Sequence, residues 1–195
     1  MKLMERLELR MYGLVPYNIS PIQQAIQFGH AVVEYGQKMK HLGEHKQSLN
    51  EQYNDWADNW KTFIILNGGT TNHRTNIEDG LPFGSLNQHL LKLLENNIDF
   101  AQFNEPDLGD QLTSIVFIVD ERVFNKKKYP DFEDWLVINY GDLIDTQSNN
   151  SYSIAQRVKI SNEPQDKKAY EKWLNFIGGE KNEFLRDFLR NFRLA

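Results

Sequence analysis

Apolar and polar positions change rhythm several times along the chain. From Leu7 to Val15, Leu7, Leu9 and Met11 alternate with other residues before the run closes on Leu14 and Val15, which predicts a strand that becomes buried. Ser20 and Pro21 then offer an N-cap and a first-turn proline ahead of Ile22, Ala25, Ile26, Gly29 and Val33, whose spacing predicts a helix to about Met39. Between Glu44 and Asn59 the chain is polar, but Leu49, Tyr53, Trp56 and Trp60 recur every three to four residues, giving a surface helix one stripe with which to dock on a sheet. Lys61 to Gly69, KTFIILNGG, is a short β-rich run ended by two glycines and reads as a central strand followed by a loop.

Thr70 to Gly84 has no period and is rich in turn formers; Leu86, Leu90, Leu93, Leu94 and Ile98 then resume helical spacing. Asp99 to Asn104 predicts a brief strand and TSIVFIVD, Thr113 to Asp120, a strong one, the two joined as a long-looped hairpin. The expected fold is α/β: a three-layer, mixed four-stranded sheet with helices on its faces, occupying residues 1–123. Residues 124–195 form a mostly helical C-terminal extension, with Asn149 to Ser151 as a link and Gly178-Gly179 breaking the tail into two helices.

Charge and composition narrow the chemistry. A net charge of -5 gives no general attraction to a phosphate backbone, although a local basic patch can coexist with it. The absence of cysteine removes disulfides, thiolate nucleophiles and Cys-bearing zinc sites. No secretory leader and no apolar run near the ~20 residues of a membrane span can be read, so the expected location is cytoplasmic, without membrane association. No cofactor is called for and no metal is assigned, because the His41–His45 pair has no obvious third ligand.

Two clusters carry candidate chemistry. On the first helix Gln23, Gln27, His30 and Glu34 share a stripe distinct from that of Ile22, Ile26 and Val33, either lining a cleft or forming a solvated face. In EPDLGDQLT, the crowded carboxylates Glu105, Asp107 and Asp110 could raise one another's pKa to give a general base, or could simply form a turn ahead of Thr113. NGGTT, Asn67 to Thr71, offers amides to an anion but lacks the P-loop lysine, and Lys126 to Lys128 reads as a solvated loop or a phosphate contact.

SPIQQAIQFGHAVVEY after a first strand resembles the helix of the type-two, archaeal and eukaryotic, peptidyl-tRNA hydrolases; Gln27, His30 and Ala31 match its glutamine and His-Ala pair. The element order over about residues 7 to 120 is similar as well. HAVVEY, ILNGGT, EPDLGDQLT, DERVF, KKKYPD, IGG and the final RLA also resemble an uncharacterised family of tailed-phage proteins, which implies the cytoplasm of an infected host. The resemblance implies hydrolysis of the ester joining a peptide to the 3′ ribose of tRNA, with Asp107 or Glu105 as base, Thr113 orienting water, His30 in the catalytic group, and Gln23, Gln27, Asp110 and Arg10 binding substrate. The family places a lysine where this chain has Gln23, and glutamine supplies no fixed cation. Arg10 or Lys38 would have to replace it. Three readings therefore stay open: an acyl-tRNA ester hydrolase, a catalytically silent phage binding or scaffold module of the same fold, and, as a lesser option, hydrolysis of a small-molecule amide or ester by the same acids. The partner would be tRNA for the first reading, and for the second a protein or another copy of the chain held through the extension.

Overall fold

The computed structural model describes residues 6–42, 47–71, 84–140 and 163–195, with no side-chain account of residues 163–166. His45, the start of the second predicted helix, most of the loop after Thr70 and the link at Asn149 to Ser151 lie outside the described residues.

Four strands form a mixed sheet in the order β2-β1-β4-β3: β1 Leu9–Val15, β2 Thr62–Asn67, β3 Phe100–Glu105 and β4 Gln111–Asp120. β1 runs parallel to β2 and antiparallel to β4, and β3 and β4 make the predicted hairpin. One face carries α1 Pro21–Leu42 and α2 Gln47–Asp55, followed by a π-helical turn at Trp56–Trp60. The other is covered by α3 Ser85–Glu95, which buries Leu86, Leu90 and Leu93. The predicted α/β sheet with helices on its faces is what forms.

The apolar residues that set the helical period of α1 are not those that face the sheet. α1 buries Gln27, Phe28, Ala31, Tyr35 and Met39, which pack with Met11, Val15, Val116 and Ile118. Ile22, Ile26 and Val33 stay 72%, 50% and 61% exposed. Close approach of α1 depends on Gly13, where an added Cβ would lie 2.2 Å from the Phe28 ring. Phe28 and Trp56 then each meet Phe63 of β2 edge-on, with ring centroids 5.2 Å apart.

The chain separates into two units, Met1–Asp120 with Phe188–Ala195, and Glu121–Asp187. The extension expected over 124–195 is thus divided, because its end returns to the first unit. Phe188 packs against Phe117 and His89; β2, expected from its apolar run to be a central strand, lies at the sheet edge, and residues beyond Phe188 pair with it there. Asn67 N donates to Arg193 O at 2.9 Å, Ala195 N donates to Ile65 O at 3.0 Å, and Leu66 and Leu194 form an antiparallel bridge. Backbone groups that an edge strand would otherwise leave open are in this way satisfied.

The second unit contains α4 Glu121–Phe124, α5 Phe132–Tyr140, α6 Glu163–Ile177 and most of α7 Glu180–Leu189. Gly178 and Gly179, at φ +92° and +99°, separate the last two helices as their pairing predicts. Trp135, Leu136, Ala169, Trp173 and Ile177 make its core. The buried Arg186 donates to Arg122 O, Tyr129 O and the Asp131 carboxylate. Burial works against ionisation of Asp131, but hydrogen bonds and charge from Lys126 and Arg186 outweigh it and hold its pKa below the usual carboxylate value. Lys126 and Lys128 are paired with Asp131 and Glu121, which favours the bland reading of the basic run.

Candidate functional site

α1, β3 and β4 meet at one corner of the sheet through the side chain of Gln27, which is only 6% exposed. Its Oε1 accepts from Thr113 Oγ1 at 2.7 Å, and its Nε2 donates to Glu105 Oε2 at 2.5 Å. A helix residue, a strand residue and the residue that ends β3 are therefore joined in one hydrogen-bonded chain.

A β-bulge makes this possible. Phe103 pairs with Ser114 and Asn104 with Leu112, so Thr113 is an extra residue in β4. Strict alternation would turn Thr113 with Ile115 and Phe117, away from α1. The bulge re-aims its hydroxyl toward Gln27, a displacement typical of bulges beside functional sites. Thr113 is fully buried, and its Oγ1 also lies 3.3 Å from Phe103 O. It stands behind Gln27 and positions the amide, in contrast to the water-orienting role expected of it.

The three loop carboxylates are not equivalent. Glu105 N-caps the short 3-10 turn Pro106–Leu108, its Oε1 accepting from Asp107 N at 3.3 Å while Oε2 meets Gln27. Half-buried and with lone pairs to spare, it is the acid directed at the site. Asp107 and Asp110 are exposed. Asp110 adopts φ +60° and donates its N–H to Glu105 O at 3.0 Å, while its own carbonyl accepts from Asn104 Nδ2. Those two residues do the work of a turn.

Gln23 and Arg10 are placed differently from expectation. Gln23 Oε1 accepts from both N and Oγ of Ser20, at 3.0 and 2.9 Å, and Gln23 N donates back to Ser20 Oγ at 3.4 Å. This is a capping box that starts α1. Arg10 bonds Glu8 at 2.7 Å and sits near the start of β1, opposite Val119, whereas the site lies past the end that pairs with Ile115. Lys38 donates to Phe100 O at 2.6 Å, at the start of β3 and not at its Glu105 end. Both cations named as replacements for a lysine at Gln23 are thus engaged away from the corner.

His30, one turn beyond Gln27, is exposed and lies parallel to Phe103, with centroids 4.5 Å and planes 13° apart. Phe103 was not singled out from sequence; its position two residues before Glu105 on a strand was the available signal. The NGGTT loop offers no open amide nest. Gly68 N bonds Val15 O, Gly69 N bonds Asn67 Oδ1, Thr70 N bonds Ser85 Oγ and Thr71 N bonds Asn18 Oδ1.

Compared with known proteins, the chain matches no protein-family model and no curated sequence. Among the described residues, no helix is long and apolar enough to cross a membrane.

Proposed function

We propose that the first unit is a peptidyl-tRNA hydrolase-like domain that receives the ester end of an acylated tRNA at the Gln27–Glu105–Thr113 corner. The observation that carries this reading is Gln27 bonding Thr113 and Glu105 at once, since the glutamine that matches the resemblance meets there a hydroxyl and a carboxylate distant in the sequence. In the reaction, Glu105 takes a proton from water as the water oxygen attacks the ester carbonyl. The carbonyl carbon–oxygen bond to the ribose then breaks, and the 3′ oxygen leaves with a proton. Gln27 holds the carboxylate in place, and Thr113 holds Gln27.

A specific observation favours the second reading, a silent binding module. Gln23 caps α1, while Arg10 and Lys38 are engaged away from the corner, so the charge that would stabilise an oxyanion is not supplied by any of the three. Release of N-acetyl-aminoacid from N-acetyl-aminoacyl-tRNA separates the two. The hydrolase reading expects wild-type turnover, reduced roughly 100- to 10,000-fold in Glu105→Gln. Retention of the charged tRNA on a filter without turnover selects the binding module. Neither turnover nor retention overturns tRNA as the partner.

A further inference from the structure

Beside the carboxylate lies a pair of rings that the ester chemistry does not use. Imidazole and phenyl are nearly parallel, at 4.5 Å and 13°, and the imidazole is the outer, exposed member. Among the described residues no hydrogen bond holds the imidazole; one ring face is covered by Phe103, and the exposure of His30 leaves the other to a ligand. His30 follows Gln27 by three residues, about one helical turn. Phe103 precedes Glu105 by two, about 6 to 7 Å along the strand and on the same face. The platform and the carboxylate are therefore neighbours on both elements that build the corner.

We infer that the His30–Phe103 pair is a stacking platform for a nucleobase, the base of the same terminal nucleoside whose ester meets Glu105. The assignment of that base to tRNA rests on the reading above; the platform itself rests on the ring geometry. A flat aromatic ligand suits it because stacking needs only an open ring face and no fixed cation, which agrees with a corner where Arg10 and Lys38 are engaged elsewhere. A base on the outer face of His30 would complete a three-ring stack, and its ribose would bridge toward Glu105.

Two fluorescent probes test this: an RNA minihelix ending in 2-aminopurine, and free 2-aminopurine riboside. With the wild-type chain, stacking quenches both. His30→Ala abolishes the quenching and weakens minihelix binding about 5- to 150-fold, the range for loss of one stacked base. His30→Phe, which keeps a ring, restores both. A purely structural His30 would instead lower the urea midpoint of His30→Ala and leave probe affinity unchanged, which overturns the platform. Minihelix binding without quenching also overturns it while the tRNA reading survives. His30-dependent quenching of the riboside with no minihelix binding upholds the platform and overturns tRNA as the source of the base. No quenching of either probe overturns the platform.

Discussion

Gln27 uses both ends of its amide, and this determines what a ligand meets. The oxygen is turned inward to Thr113, so Glu105 and the remaining N–H are the groups at the corner's mouth. Gly13 matters through the same packing, because it admits the Phe28 ring that seats α1 one residue along from Gln27. Gly13→Ala is expected to destabilise the chain by about 1 to 3 kcal/mol, read as a lower urea midpoint. Shortening the ring in a Gly13→Ala, Phe28→Leu double variant should recover part of the loss. Gln27, His30, Glu105 and Thr113 were all legible as residue types and spacings. The bulge that brings Thr113 to Gln27 was not, since a run such as TSIVFIVD reads the same with or without one extra residue in its pairing.

Two helices show what periodicity resolves and where it stops. In α1 the spacing of Ile22, Ala25, Ile26, Gly29 and Val33 correctly implies a helix, but a period does not say which side meets the sheet. The inward face is decided by Phe28, Ala31, Tyr35 and Met39, and a polar residue, Gln27, is buried among them because its partners come from distant strands. In α3 Leu86, Leu90 and Leu93 face inward as their spacing implies and Leu94 stays 52% exposed, while His89 lies edge-on to Phe188 and Phe192. Burial, with a smaller contribution from Lys92, lowers its pKa to about 4. The unfolded chain takes up that proton near pH 6.5, so the stability associated with neutral His89 is complete above 6.5 and is lost as pH falls from there through about 4. Urea midpoints measured from pH 7 to 4 should therefore fall more steeply for the wild type than for His89→Leu. Equal slopes would place the acid sensitivity in other groups.

At the scale of the whole molecule, the first unit is assembled from two stretches of sequence with the second unit between them. Sequence patterns show the order of elements, and they showed here a helical extension broken at Gly178-Gly179. They carry no signal for the return of residues 193–195 to β2, because backbone pairing at an edge needs no particular side chain. Removing residues 193–195 should lower the thermal midpoint and promote aggregation, seen as light scattering on heating, since the Asn67 N–H and Ile65 C=O lose their partners. Unchanged scattering would mean that this pairing does not protect the edge. The same pairing also sets a timetable during synthesis. Asn67 leaves the ribosome long before Arg193, and at roughly 5 to 20 residues per second the interval is on the order of ten seconds. For that time the nascent sheet presents an open β2 edge, so these seconds are when the chain most needs a chaperone or a dilute neighbourhood.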